Sequence, residues 1–273
     1  MSIAATPAPR SEQVEMMSRL IHGGLGVLLV VVATSTARAQ SPALQSPTNQ
    51  TGPKPPEHGV VIQLVRDVGG DYKHFFSTDN AIWLGIGGGA ALAVHGADES
   101  IADSVQKSNP DLDGGEQYGS QKYQVPIAIA WWAVGAAAGS ERNAAAGRDL
   151  FRAQIAAFSW TYAIKYATQR TRPNGDPHSF PSGHASTSFA TAMVLQEHYG
   201  WKLGAPAFAL ATYTAGSRVT DNQHWTSDVV FGAALGMVCG RTVTVRLRAT
   251  KASIAPVPVR RGAGVLVTIQ RLQ

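Results

Sequence analysis

The central part of the sequence contains three polar clusters in one order: KYATQRTRP at 165–173, PSGH at 181–184 and SRVTDNQHWTSD at 217–228. Apolar periodicity predicts helices over 143–167, 185–198, 203–216 and 225–240. Each cluster therefore stands at the beginning or the end of a predicted helix. This stretch indicates a helical fold whose chemically active side chains lie at helix termini.

Positive charge is shared by the first and third clusters. Arg172 and Arg218 provide planar, permanently charged guanidinium groups that can bind an oxyanion through paired hydrogen bonds. Lys165 continues an apolar helix face that also carries Phe158 and Tyr162, so its ammonium group needs an anionic partner. Any one of these cations could equally belong to a surface ion pair, but together they indicate an oxyanion site.

The second cluster forms a turn that leads into a helix. Ser182 can cap this helix, and Gly183 has no side chain to keep the backbone away from an anion. The first backbone N–H groups of a helix lack intrahelical partners and attract oxyanions. The cluster therefore predicts a backbone contribution to the same site.

The third cluster contains a histidine and a carboxylate one helical turn apart. At that spacing Asp228 can hold one ring nitrogen of His224 and leave the other for attack on phosphorus. A phosphoryl transfer without a metal also needs an acid for the leaving oxygen and fixed positive charge around the transferred group. His184 can supply the acid, and the three cations can supply the charge.

Together, the three clusters resemble the signature of the type 2 phosphatidic acid phosphatase superfamily, which also includes bacterial non-specific acid phosphatases and vanadium-dependent haloperoxidases. The resemblance covers this central segment and the helices around it. It implies that His224 attacks the phosphorus, His184 protonates the leaving group and Asp228 orients His224. It also implies phosphate contacts by Lys165, Arg172, Ser182, Gly183 and Arg218. No metal and no cofactor is implied for the phosphatases.

We therefore expect a metal-independent phosphoric monoester hydrolase that acts through a phosphohistidine intermediate. The substrate would be a phosphorylated small molecule or a lipid phosphate or pyrophosphate. The alternative is a vanadium-dependent haloperoxidase, because vanadate mimics phosphate and would bind at the same oxyanion site. The compact chain and the spacing between Lys165 and Arg172 favour the phosphatase.

The distribution of charge argues against a nucleic-acid-binding protein. The net charge is +5, but residues 241–273 contain seven basic residues and no acidic one, so the rest of the mature chain is slightly acidic. A basic tail of this kind is compatible with contact to an anionic membrane surface, and a solvated face is the simpler interpretation.

The ends of the chain have compositions of their own. Residues 1–39 are typical of a signal peptide with cleavage after Ala39, residues 40–59 form a proline-rich linker, and 60–240 form the helical phosphatase domain. The protein is therefore expected in the cell envelope, on the periplasmic side. The alternative is an integral membrane protein, because the uncharged runs 80–97 and 123–140 are barely long enough to span a bilayer.

The expected fold class is all-α, with a bundle of about six core helices. Alternating residues at Thr242–Leu247 and Gly264–Ile269 predict two strands of a small β-hairpin within the basic tail at 241–273. The single cysteine, Cys239, excludes an intramolecular disulfide and is expected to be a buried helix residue.

Overall fold

The computed structural model describes residues 59–108, 112, 114–245, 250–259 and 262–271. The predicted signal peptide at 1–39 lies outside the described residues, and so does the proline-rich linker, except for its last residue, Gly59. Both remain predictions.

The described part of the chain contains nine helices and one pair of strands, which confirms the all-α fold class. The helices are α1 (Val60–Phe75), α2 (Thr78–His95), α3 (Asp98–Ser108), α4 (Gly115–Gly119), α5 (Gln121–Ala137), α6 (Glu141–Thr168), α7 (Gly183–Tyr199), α8 (Trp201–Thr220) and α9 (Thr226–Val243). Strands β1 (Thr250–Val259) and β2 (Gly262–Arg271) pair in antiparallel register. Within residues 59–245, none of the helices has the length and apolar character needed to cross a membrane.

The main core lies where α6, α7 and α9 pack together. It consists mostly of small and medium-sized side chains, which allow the helix axes to approach closely. Those with no exposed surface include Ala153, Ala157, Ala190, Val194, Leu235, Val238 and Cys239. The expectation that Cys239 is a buried helix residue is confirmed.

A stripe of glycines on α9 sets the distance between α9 and α7. A Cβ atom added at Gly232, Gly236 or Gly240 would lie closer than 3.0 Å to backbone oxygens of α7 or of its cap. The oxygens belong to Ser182, Ser186 and Ala190, four residues apart on the facing helix. This contact holds the beginning of α7 against the beginning of α9, and therefore the second cluster against the third.

The packing of α2 differs from the sequence expectation. The spacing of Gly85 and Gly89 suggests a close helix contact there, but a Cβ atom at either position would meet nothing within 4 Å. The close approach is made instead by Gly87, which packs against Ala234 of α9. The sequence thus predicted a closely packed helix here, but the spacing of Gly85 and Gly89 did not show which face of that helix is buried.

The strand predicted at Thr242–Leu247 is wrong at its beginning, because Thr242 and Val243 are the last residues of α9. Alternation in the sequence favours a strand here, but tertiary contacts extend the helix. Val243 is buried, and Asn80 of α2 donates a hydrogen bond to the hydroxyl of Thr242 at 2.9 Å. The hairpin begins later, at Thr250.

We expect Gly236→Ala to destabilise the protein, because the new methyl group would collide with the backbone of α7. Overpacking of this kind costs about 1–3 kcal/mol. The matched control is Gly89→Ala, which places a methyl group in open space within a helix. It should raise the free energy of unfolding by about 0.5–1 kcal/mol through helix propensity. Equal denaturation midpoints for the two variants would contradict the close α7–α9 contact.

Candidate active site

Lys165 lies in the last turn of α6 and is buried. Its ammonium group donates to the backbone oxygens of His178 at 2.5 Å and Ser179 at 3.1 Å. Burial and the nearby Arg172 guanidinium lower the pKa of Lys165 to about 8, against the effect of Asp228. Lys165 therefore fixes the loop that joins α6 to α7 and places one positive charge beside the site.

The two arginines of the clusters are held by different partners. Arg172 Nη1 donates to Gln223 Oε1 at 2.6 Å, whereas Arg218 forms ion pairs with Asp221 and, at 3.5 Å, with Glu116. In both arginines the Nε–H group is buried and has no partner among the described residues. Unsatisfied buried donors are rare in native proteins. These two are available to an oxyanion.

The second cluster begins α7 as the sequence predicts. Ser182 is the N-cap, and its Oγ accepts a hydrogen bond from the Ala185 amide at 3.4 Å. The Ser182 amide donates to the Asp228 backbone oxygen at 3.0 Å, which ties the cap to α9. Gly183 lines an open cavity, and the nearest atom to an added Cβ would be 3.7 Å away, in Thr161.

His184 and His224 face the same cavity. Burial lowers the pKa of His184 to about 4, and the charges of Arg218, His224, Arg172 and Lys165 act in the same direction. Burial also lowers the pKa of His224 to about 4, although Asp228 opposes the change. Both imidazoles are therefore neutral near pH 7 in the empty site.

Asp228 is completely buried behind His224. His224 Nδ1 lies 3.5 Å from Asp228 Oδ2, a long contact of the kind that often shortens when a substrate binds. The same carboxylate accepts hydrogen bonds from Ser179 Oγ, from the Trp225 amide at 3.0 Å and from Arg170 Nη1 at 2.7 Å. Burial alone would raise the pKa of Asp228, but these contacts hold it below the ordinary value.

The structure brings the eight candidate residues into one region. A cavity of about 240 Å³ is lined by five of them: Lys165, Arg172, Gly183, His184 and His224. The other three are buried beside the cavity: Ser182, Arg218 and Asp228. The His224 amide donates a hydrogen bond to the backbone oxygen of Arg218 at 3.1 Å.

Sequence reasoning missed other parts of the cavity. Phe158 and Tyr162 are about two-fifths exposed and line its wall, although they were expected to face the core. Their helical spacing with Lys165 is visible in the sequence, but an apolar helix face predicts burial in the core and does not reveal a cavity wall. Another part of the lining, residues 119–122 where α4 ends and α5 begins, includes Lys122 and carries no sequence signal. Asp228 is also bound by Ser179, which lies outside the three clusters, and by Arg170, which lies within the first cluster but received no role from the sequence.

Comparison with known proteins gives one family and few relatives. Residues 158–251 match the model of the PAP2 superfamily. Lipid A 1-phosphatase of Porphyromonas gingivalis is 40% identical over 82 residues, which are 29% of this chain and 18% of that protein. The chain thus matches less than a fifth of the length of this curated relative.

Two solved structures are similar at 19% identity and a TM-score of 0.48. One is LpxE of Aquifex aeolicus, with 55% of this chain and 95% of that chain covered. The other is a transmembrane PAP2 type phosphatidylglycerolphosphate phosphatase of Bacillus subtilis, with 67% and 94% covered.

We expect the empty site to take up protons when it binds an anion. A sulfate ion in the cavity would favour the charged imidazoles and raise both pKa values from about 4. The measurement is calorimetry of sulfate binding at about pH 5.5 in buffers of different ionisation enthalpy. Sulfate does not itself titrate at this pH, so the method measures the proton uptake by the protein directly. His184→Gln should reduce it, and binding without proton uptake would contradict the assignment.

The same groups fix the sign of the pH dependence of stability. In the unfolded chain the pKa of a histidine is about 6.5, which is higher than the pKa of His184 or His224 in the folded protein. Between these pKa values the unfolded state therefore binds more protons than the folded state. The free energy of unfolding should therefore fall as the pH drops from about 6.5 toward 4, and sulfate should reduce that loss.

Proposed function

We propose that the protein is a phosphatase of the type 2 phosphatidic acid phosphatase (PAP2) superfamily, whose family model matches residues 158–251. It hydrolyses phosphate monoesters or pyrophosphates, with a lipid phosphate as the favoured substrate class. The proposal rests on one observation: two neutral histidines share a cavity with Lys165 and Arg172 beside the beginning of a helix.

The first step is attack by His224 on phosphorus. Asp228 lies on the Nδ1 side of the ring, which leaves the lone pair of Nε2 for the new P–N bond. The P–O bond to the leaving group breaks, and its electron pair passes to the leaving oxygen. His184 gains a proton when the anionic substrate binds and then donates that proton to this oxygen.

The second step regenerates the enzyme. Neutral His184 takes a proton from a water molecule, whose oxygen attacks the phosphohistidine while the P–N bond breaks and its electrons return to His224. Throughout, the equatorial oxygens of the phosphoryl group are neutralised by Lys165, Arg172 and Arg218. These fixed cations perform the role that metal ions have in other phosphotransferases.

The walls of the cavity favour a substrate with an apolar part. Phe158 and Tyr162 present their rings along α6, 4.4 Å apart between centroids, and Tyr166 continues the row. An alkyl or acyl group that leaves the cavity along this row would bury apolar surface. The printed name of the curated relative, a lipid A 1-phosphatase, is consistent with this class.

We also propose that the protein acts in the cell envelope after export, which rests on the predicted signal peptide at 1–39. The haloperoxidase alternative is not favoured, because the curated relative is named as a phosphatase.

The roles of the two histidines are tested by changing the leaving group. His224→Ala should abolish turnover of every substrate, because no phosphoenzyme can form. His184→Ala should slow hydrolysis of alkyl phosphates by about 10²–10⁴-fold, the usual contribution of a general acid. It should spare phosphoenzyme formation from an aryl phosphate whose phenol is a good leaving group, as measured by rapid quench.

The control for this experiment is the wild-type protein assayed in chelator, where activity should persist. Trapped phosphate on His224→Ala, or equal losses for alkyl and aryl substrates in His184→Ala, would contradict the assigned roles. Loss of wild-type activity in chelator, restored by magnesium, would contradict the metal-free mechanism.

The apolar wall is tested by substrate chain length. Wild-type protein should hydrolyse a long-chain alkyl phosphate with a higher kcat/KM than a short-chain one, and Tyr162→Ala should remove about 1 kcal/mol or more of that preference. Phe208→Ala is the control, because Phe208 packs on Phe189 away from the cavity. A Tyr162→Ala variant with the full chain-length preference would exclude this wall as the apolar subsite.

A further inference from the structure

Arg170 lies between two buried carboxylates outside the catalytic cavity. Its Nη1 donates to Asp228 Oδ1 at 2.7 Å, and its Nη2 donates to Asp98 Oδ2 at 2.8 Å. Asp228 has no exposed surface, and Asp98 has only 3%. The guanidinium is thus a bridge that connects the beginning of α3 to the carboxylate behind His224.

Asp98 is itself fixed by the first turn of α9. Its Oδ1 accepts the Ser227 amide at 2.9 Å, and its Oδ2 accepts the Ser227 hydroxyl at 2.5 Å. Arg170 Nη1 donates to the same hydroxyl at 2.7 Å. Arg170, Asp98 and Ser227 therefore form a closed hydrogen-bonded ring beside Asp228.

The Arg170 guanidinium is held by an aromatic ring against its face as well as by the hydrogen bonds along its edge. The ring of Trp225 lies 5.6 Å from the guanidinium carbon of Arg170, and Trp225 Nε1 donates to the Thr171 backbone oxygen at 2.8 Å. A planar group held in this way can donate along only a few directions. Its bond to Oδ1 determines the rotation of the Asp228 carboxylate and so directs Oδ2 toward His224.

We propose that Arg170 and Asp98 are positioning residues for catalysis: Asp98 holds Arg170, and Arg170 orients the Asp228 carboxylate that supports the nucleophile His224. The proposal rests on the proposed phosphatase function and deepens it. Asp98 lies outside the three clusters, and Arg170 lies within the first cluster but is not one of the positions that match the superfamily signature. Neither residue lines the catalytic cavity. Their effect on the reaction passes through Asp228.

The electrostatic consequence has a definite sign. Among the described residues, the charged or titratable groups that contact Asp228 are Arg170 and His224, and Arg170 also faces Asp98 and His95. His224 itself is also faced by Lys165, Arg172 and His184. Removal of the guanidinium makes the Asp228 carboxylate a stronger base, and the imidazole beside it then holds a proton to higher pH. Since attack needs neutral His224, the acid limb of the kcat/KM profile should move to higher pH.

The kinetic test uses Arg170→Met, which keeps the length of the side chain and removes its charge. We expect kcat to fall by about 10- to 100-fold, as is typical when an orienting residue is lost, with little change in KM. The acid limb of the profile should rise by about one pH unit. Arg170→Lys retains a cation and should recover part of both effects. Asp98→Asn combined with Arg170→Met should lose no more than Arg170→Met alone, since Asp98 acts through Arg170.

The matched control is Arg142→Met. Arg142 donates to the His198 backbone oxygen and has no contact with the cavity, so this variant should lose stability without a shift in the acid limb. A fall in kcat for Arg170→Met that leaves the acid limb unchanged would show that Arg170 is only structural. Full activity in that variant would also overturn the proposal.

A second measurement does not depend on activity. ¹⁵N NMR of the His224 ring in substrate-free protein should show a higher pKa in Arg170→Met than in wild type, with no change in Arg142→Met. An unchanged His224 titration would overturn the positioning role even in an active enzyme. If the wild-type protein hydrolysed no phosphate but the titration moved as expected, the positioning inference would stand and the proposed function would fail.

Discussion

The buried carboxylate of Asp228 is the constraint on which the site depends. An ionised carboxyl group without exposed surface is costly unless hydrogen bonds and opposite charge surround it. Here the partners come from two separate parts of the chain: Arg170 and Ser179 in the loop after α6, and the Trp225 amide that begins α9. The need to satisfy one charge therefore brings these segments together.

Helix termini meet at one end of the bundle for a related reason. The last turn of α6 carries Lys165, and the last turn of α8 carries Arg218, while α7 and α9 begin beside them. The positive ends of the α7 and α9 dipoles add to the charge of these cations. The glycine stripe of α9 allows the two helix beginnings to approach closely enough to share a cavity.

The concentrated positive charge explains the state of the histidines. Burial and the surrounding cations keep His184 and His224 neutral in the empty protein. Asp228 stays ionised in spite of its burial, because hydrogen bonds from His224 and Ser179 and the charge of Arg170 lower its pKa. An arriving phosphate changes this balance, because its negative charge compensates the cations and favours a charged imidazole. The site is therefore organised so that substrate binding prepares the acid that the first step needs.

Much of the site could be predicted from the sequence because its residue types are confined to short local spacings. A serine before a helix, a histidine and an aspartate one turn apart, and the cations at 165, 172 and 218 are visible in one dimension. The all-α class and the glycine stripe at 232, 236 and 240 follow from the same periodicity. The assigned catalytic roles stay predictions until the variants are measured.

Local spacing failed where a contact joined distant segments. The strand predicted at 242–247 was wrong at its beginning, where Asn80, far away in the chain, binds Thr242 in the last turn of the helix. Asp98 belongs to no motif, and only the packing of α3 against α9 places it beside Arg170. The sequence by itself determined which groups could do the chemistry. Tertiary structure alone decided which groups support them, because a buried charge is satisfied by whatever donors the packed helices bring within hydrogen-bonding distance, at any separation along the chain.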